Sequence, residues 1–448
     1  MDKRAFLKSS ASAFTGCILS RMLHAQGQPA PRTNWAGNLT YSAPNLLELH
    51  SVEEAQSAVR ELPHLRALGS RHSFNAIADS TENQVSLHAL NSIDLDPAAK
   101  TVTVGAGVRY GDLAPVIEAR GFALHNLASL PHISVAGAIA TATHGSGLHN
   151  GNLATVVSAM EFVAANGDVV RLSRSADPEK FAGAVVHLGA LGVLTRVTLD
   201  VQPTYQVAQT VYLDLPFAQL EHHLEDVFAS GYSVSLFTDW QQGRVTQVWI
   251  KRRTDRNDAP SLGADFFGAH PATEKMHPIL GHPAEACTEQ LGVPGPWYER
   301  LPHFKMNFTP SSGQELQTEY FVPFEHGYKA IRAVETLRDQ ITPHLFVTEL
   351  RTIEADSLWM SMAYRRRSLA IHFTWKPEWA AVKEILPQIE ARLWPFDARP
   401  HWAKLFTVAP ERLDSLYPRL DSFKSLAARY DPNGKFRNQF LATNVYSV

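Results

Sequence analysis

From Gly121 to Met160 the chain carries no Asp, Glu, Lys or Arg, although 19% of its residues are charged. So long an uncharged run admits few structures. It is not a membrane span, because Gly, His, Asn, Ser and Thr interrupt it throughout. A buried apolar helix fails on the same residues. What remains is a buried segment rich in small polar residues: Ser129, Ser134, Gly137, Thr141, Thr143, His144, Gly145, Ser146 and Gly147. Small side chains let a backbone come close to a ligand. Successive main-chain N–H groups and Ser/Thr hydroxyls hold a diphosphate without a basic side chain. A Gly-rich turn in the core is the alternative, and Gly145-Ser146-Gly147 alone does not decide against it.

A second turn of small residues, Gly69-Ser70-Arg71-His72-Ser73-Phe74-Asn75, follows the strand-like Arg66-Ala67-Leu68-Gly69. Neither loop fits G-x-G-x-x-G or a Walker A motif with its Lys. A lone His in such a turn ordinarily serves as a hydrogen-bonding residue. Beside a phosphate cradle it has a second reading, as a nucleophile toward a cofactor.

Composition narrows the class. At roughly 100–200 residues per domain, a chain of 448 residues holds two to three domains. Lys and Arg total 41 against 44 Asp and Glu, a formal net charge of −3, so no nucleic-acid partner is expected. Cys17 and Cys287 exclude a disulfide framework and any multi-cysteine metal site. The 20 His include no H-E-x-x-H and no tight cluster with ligand spacing. No metal is therefore expected. Beyond the N-terminus no apolar stretch approaches the ~20 residues of a membrane span.

Residues 1–30 read as a targeting segment. Lys3-Arg4-Ala5-Phe6-Leu7-Lys8 resembles a twin-arginine export signal, with Lys for the first Arg, and Arg21 interrupts the apolar run that follows. Cleavage after Ala25 and a lipidated Cys17 in a loose Phe14-Thr15-Gly16-Cys17 box are further readings. The expectation is export to the periplasm, with a cytoplasmic tail as the alternative.

Further on, period-two alternation and turn residues predict strands at 100–104, 157–164, 168–172, 193–201, 206–213, 232–237, 247–252, 346–351 and 369–375. Helical spacing predicts helices at 110–120, with Leu113, Val116 and Ile117 on one face, and at 325–337 and 382–393. Residues 258–303 hold Pro260, Pro271, Pro278, Pro283, Pro294 and Pro296 and predict a long functional loop.

At the two small-residue turns the sequence is recognisable. Gly69 to Asn75 resembles the covalent-flavin turn of the vanillyl-alcohol-oxidase type of FAD-linked oxidases. Ala128-Ser129-Leu130-Pro131-His132-Ile133-Ser134-Val135-Ala136-Gly137 and Thr141-Ala142-Thr143-His144-Gly145-Ser146-Gly147 are similar to its aldonolactone/alditol oxidase branch. So are Ser235 to Trp240, Lys251 to Arg256, Gly292 to Trp297, His372 to Trp375, Arg399 to Lys404 and Lys435 to Asn438. The resemblance implies an α+β, two-domain FAD-linked oxidase fold. A PCMH-type FAD-binding domain would span 34–204, and a substrate domain with an antiparallel sheet 205–400. Residues 401–448 would return to the FAD domain.

The same resemblance implies the site. His72 would carry FAD covalently through the 8α-methyl group. Ala67, Leu68, Gly69, Ser70, Arg71, His72 and Ser73, with Ser129, Ser134, Gly137, Thr141, Ala142, Thr143 and His144, would hold the cofactor. Gly192 and Val193 would lie near the adenine half, and His401 and Lys404 near the isoalloxazine. Ser129, Glu349, Arg351 and Thr374 would bind substrate hydroxyls. Arg71 departs from the family, which often has Gly there.

Residue chemistry agrees with those roles. Glu349 and Arg351 lie two apart on a strand and share a face, as do His372 and Thr374. A carboxylate accepts hydroxyl protons, and a guanidinium donates in a fork. Taken alone, the first pair reads more simply as an ion pair and His372 as a structural His. The match of both pairs to family substrate positions reverses that. The expected reaction oxidises the terminal hydroxyl of a polyol of the xylitol or sorbitol class to an aldehyde. Hydride passes to the flavin, and O2 is reduced to hydrogen peroxide. Arg351, His372 and Lys404 are the expected catalytic residues, with His372 as base. A sugar-acid lactone oxidase or dehydrogenase of the same fold is the alternative. No residue pattern sets an oligomeric state.

Overall fold

Period-two alternation places the strands, and what they bury decides how they stack. The structure is a computed structural model that describes residues 31–256 and 262–447. The targeting readings on residues 1–30 fall outside the described residues. The chain from Thr33 onward forms one unit by contact.

A parallel sheet of three strands comes first: β1 (Asn45–Glu48), β2 (Leu65–Leu68) and β3 (Asn83–Ser86), in the order β1-β3-β2. Helix α1 (Val52–Glu61) connects β1 to β2, capped where the Ser51 side chain accepts from the Glu54 N–H. A second, five-stranded antiparallel sheet follows: β4 (Ile93–Asp96), β5 (Thr101–Gly105), β6 (Val157–Val163), β7 (Val169–Ser173) and β8 (Val193–Asp200). Its order is β4-β5-β8-β6-β7. Between β5 and β6 come α2 (Tyr110–Glu118) and the short α3 (Val135–Ala140). Helix α2 buries Tyr110, Leu113, Ala114 and Ile117. Val116, expected on that face, is 42% exposed because the buried stripe runs through 110, 113, 114 and 117.

The third sheet is antiparallel and larger. Its long strands are β9 (Gln206–Pro216), β10 (Ser233–Thr238), β11 (Arg244–Arg253), β12 (Leu316–Pro323), β13 (Leu345–Ile353) and β14 (Ser368–Trp375). They run in the order β9-β11-β10-β13-β14-β12, with two-residue strands at the edges. Helices α4 (Leu220–Ala229), α5 (Gly327–Glu335) and α6 (Trp379–Leu393) bury Val227, Ile331, Val334 and Ile389 in the apolar core that covers one face. The other face carries polar and charged residues. The helix expected from Glu325 begins as a 3-10 turn, Phe324–His326. Strand β12 was not anticipated at all.

Beyond β14 the chain comes back to the parallel sheet. The Leu65 N–H donates to the Lys435 carbonyl, and Arg66 donates to the Phe436 carbonyl at 2.8 Å. Asn438 donates to the Ala76, Ile77 and Asp79 carbonyls. The Pro-rich stretch shows only 3-10 turns and two-residue strands where it is described. No helix among the described residues is long and apolar enough to cross a membrane.

Candidate active site

The uncharged segment is buried as its composition requires: from 121 to 160 only Gly121, Gly137 and His149 are exposed. Its two halves do different things. Ser146 donates to the Val234 carbonyl and accepts from the Thr352 N–H, and a Cβ on Gly145 would lie 2.3 Å from the Leu127 carbonyl. Residues 145–147 are therefore a core turn that joins the segment to β10 and β13. The earlier half meets the Gly69–Asn75 turn. The Ser134 N–H donates to Ser70 Oγ at 3.0 Å. A Cβ on Gly69 or Gly137 would lie 2.8 or 2.9 Å from Ser134 Oγ. At Gly69 the absence of a side chain lets the turn close on the Ser134 hydroxyl of the uncharged segment. Thr141 Oγ1 bonds the Gly137 carbonyl and lies 3.2 Å from Thr143 Oγ1, and Ala142 turns the chain at φ +53.

The Gly69–Asn75 turn leaves the carboxyl end of β2, where parallel strands commonly present ligands. Arg71 sits at φ +64, the left-handed region that favours glycine. Its guanidinium lies along the N-terminal segment, 3.4 Å from the Thr33 carbonyl. His72 Nδ1 lies 3.1 Å from the Ser70 carbonyl, which places a proton on Nδ1. Nε2 is then a bare lone pair, buried without a hydrogen-bond partner. Burial pulls the imidazole pKa down to about 3, so the ring is neutral. The turn is tied to the Arg399–Lys404 segment as well. The Phe74 N–H donates to the Ala403 carbonyl, and Asn75 donates to the Trp402 and Lys404 carbonyls.

Strand register builds the rest of the site. Glu349 on β13, His372 on β14 and Glu319 on β12 stand directly opposite one another, on one face. Thr374 and Gln317 form the next pair on that face. Arg351 donates to Glu319 Oε1 at 2.8 Å and to Ser129 Oγ at 3.0 Å, and its Nε lies 3.6 Å from Glu349 Oε1. Ser129 thereby links the uncharged segment to the sheet. His144 Nε2 and His372 Nδ1 lie 3.1 and 3.4 Å from the Glu319 carboxylate. His401 closes the same cluster, its N–H donating to the Glu319 carbonyl. Lys404 donates to Gln317 Oε1 and packs over the Phe74 ring at 4.7 Å.

Burial and charge oppose each other here. Burial raises the Glu319 pKa, but His144, His372 and Arg351 outweigh it and hold the carboxylate well below its ordinary range. Glu349 is likewise pulled down, burial being overridden by Arg351. His372 and His401 are pushed down by burial, with Glu319 opposing. Burial lowers Lys404 to about 8.

The expected catalytic and substrate residues Ser129, Glu349, Arg351, His372, Thr374 and Lys404 thus meet in one constellation, with His144 and His401. The turn that carries Ser70 and His72 is tied to the same Arg399–Lys404 segment through Asn75, and to Ser134 through Ser70. Gly192 and Val193 stand apart. Val193 is in the core beneath the parallel sheet, and Gly192 at φ +156 leaves no room for a Cβ against the Val163 carbonyl. Glu319, the hub of the cluster, was not anticipated. Its signal was Gln317 and Glu319 two apart, the same pattern as Glu349 and Arg351. His303 was also missed. It bonds Glu349 Oε1 at 2.8 Å from a loop with no periodicity.

This donor set fits a flavin dinucleotide. Gly69, Ser70, Ser134 and Gly137 make a cationless cradle, and the buried, unpartnered His72 Nε2 is a candidate anchor. A family model described as an FAD binding domain matches residues 44–173, and one described as D-arabinono-1,4-lactone oxidase matches 308–444. An L-gulonolactone oxidase from Bos taurus is 25% identical over 449 residues, 92% of this chain and 98% of the relative. An L-gulono-1,4-lactone dehydrogenase from Mycobacterium tuberculosis is 27% identical over 91% of this chain and 97% of the relative. An alditol oxidase from Streptomyces sp. (strain IKD472) is 48% identical over 414 residues, 91% of this chain and 97% of the relative. With that identity over most of both chains, the chain belongs to the alditol oxidase family, in the aldonolactone oxidase branch of the vanillyl-alcohol-oxidase type of FAD-linked oxidases.

Proposed function

We propose that the protein oxidises the terminal hydroxyl of a polyol of the xylitol or sorbitol class to an aldehyde, using FAD attached to His72. FAD, when bound, accepts the hydride, and O2 takes the electrons to give hydrogen peroxide. The observation that carries this reading is the buried row Glu349–His372–Glu319 with Arg351 across it. A polyol offers only hydroxyls, so recognition must come from paired hydrogen bonds. Glu349 accepts from substrate hydroxyls, while Arg351, Ser129 and Thr374 complete their partners. His372 takes the proton of the reacting hydroxyl. Its Nδ1 lies 3.4 Å from the Glu319 carboxylate, which favours the proton on Nδ1 and a lone pair on Nε2, 3.4 Å from Thr374 Oγ1. Arg351 and Lys404 bring positive charge to the oxygen as it loses that proton.

The match of residues 308–444 to a lactone oxidase model supports a second reading, oxidation of a sugar-acid lactone. A peroxide assay with xylitol, sorbitol and gulonolactone separates the two. Peroxide from a polyol supports the first reading, and turnover of the lactone alone replaces it with the second. Residues 1–30 carry a separate proposal, export by a twin-arginine-like signal. Lys3→Gln with Arg4→Gln should then hold the protein in the cytoplasm on cell fractionation.

A further inference from the structure

Lys251 on β11 is 1% exposed, and nothing in the chemistry above uses it. Burial lowers its pKa from the ordinary 10.5 to about 7, and as ammonium or amine it keeps N–H groups to donate. Lys251 Nζ donates to the Leu301 carbonyl, to the Pro302 carbonyl at 3.3 Å and to His303 Nδ1 at 3.0 Å. Glu349 is held as a carboxylate and can only accept, so the proton of the neutral imidazole sits on Nε2 and Nδ1 accepts from Lys251. That Nε2–H donates to Glu349 Oε1 at 2.8 Å. Arg351 approaches the same oxygen, at 3.6 Å. Among the described residues every partner of the Glu349 carboxylate falls on Oε1, which leaves Oε2 to accept from a substrate hydroxyl.

The His303 ring is fixed from all sides. Phe237 and Trp249 meet it edge to face, with centroids 5.5 and 5.1 Å away. The main-chain N–H of His303 donates to the Ser129 carbonyl at 2.8 Å, and the Thr288 N–H donates to the His303 carbonyl at 2.9 Å. Burial pulls His303 down to about 4, so it is the neutral form that this geometry holds.

We propose that Lys251 and His303 form a positioning dyad. Lys251 selects the Nε2–H tautomer of His303, and His303 in turn holds Glu349 with Oε2 facing the polyol. This rests on the reading of Glu349 as a substrate ligand. A plain structural staple would hold the 301–303 loop through its carbonyls alone and make no demand on the imidazole proton.

The test uses the flavin-loaded protein and steady-state oxidation of xylitol. His303→Leu removes the donor to Glu349, and KM should rise about tenfold or more while kcat stays within a few-fold. His303→Gln keeps an acceptor for Lys251 and a donor for Glu349, so KM should return close to the parent value. Lys251→Met should resemble His303→Leu. Flavin absorbance per protein and the urea midpoint report folding. If Lys251→Met does not fold, the His303 pair decides. An unchanged KM in His303→Leu, or equal losses in His303→Leu and His303→Gln, overturns the dyad. A parent protein that turns over no polyol overturns the proposed function itself, which is a different result.

Discussion

Trp35 lies flat against His72, with ring centroids 5.2 Å apart and planes 18° apart. The Trp35 N–H donates to the Arg71 carbonyl, and Asn34 donates to the Ser73 carbonyl at 2.9 Å. The start of the described chain thus clamps the turn that presents Nε2. His72→Ala should abolish flavin fluorescence on a denaturing gel. Trp35→Ala removes a stack worth about 1 kcal/mol and should lower, without abolishing, the fraction of covalently labelled protein. Complete release of FAD from acid-precipitated parent protein would remove His72 as an anchor.

Arg71 adopts a conformation that costs a non-glycine residue roughly 1–2 kcal/mol. Its side-chain bond to the Thr33 carbonyl is long and exposed. Glycine there relieves the strain but brings back backbone entropy in the unfolded chain. Arg71→Gly should gain about 0.5–1 kcal/mol in urea unfolding, with flavin content unchanged. A lower midpoint would show that the guanidinium holds the N-terminal segment more firmly than its geometry suggests.

Much of this architecture is legible in the sequence because burial leaves a mark on composition. The uncharged run from Gly121 to Met160 announced a buried segment, and alternation placed β13 and β14 with the faces that carry Glu349, Arg351, His372 and Thr374. The functional division of that run was not legible. Gly145 and Gly147 pack against Leu127, Asn126, Asn150 and Tyr232, while Gly137 is exposed and meets only Ser134, and one residue type gives both. Glu319 escaped because β12 reads Gln317-Thr318-Glu319-Tyr320-Phe321-Val322, polar and then apolar rather than alternating. It is buried on both faces. His303 and Lys251 escaped because their meeting depends on a loop returning to β11, and no local pattern encodes that.

Arg351 is the main strong cation bonded between two buried carboxylates, Glu319 and Glu349. Arg351→Ala should cost about 3–5 kcal/mol, because buried charges are left uncompensated. Arg351→Lys keeps the charge and loses the fork to Ser129 and Glu319. It should fold and bind flavin, with kcat on xylitol reduced about 100-fold or more. Near-parent turnover in Arg351→Lys would remove the guanidinium from the chemistry.

Lys404 supplies the pH dependence. Burial lowers its ammonium from the ordinary 10.5 to about 8, with Glu319 pulling the other way and Arg351 adding to the fall. Between those values the unfolded chain binds more protons than the folded one. The Lys404 contribution to stability therefore improves as pH rises through that window, and the penalty for the buried charge is largest below about 8. Activity runs the opposite way, since only the ammonium can stabilise negative charge on the substrate oxygen. The rate of flavin reduction by xylitol, followed anaerobically by stopped flow, should decline above pH 8, approaching a tenfold loss per unit. In Lys404→Met the rate should be low and this limb should vanish, while the acid limb set by His372 remains. An alkaline limb that survives unchanged in Lys404→Met would belong to another group and would separate Lys404 from the proton-dependent step.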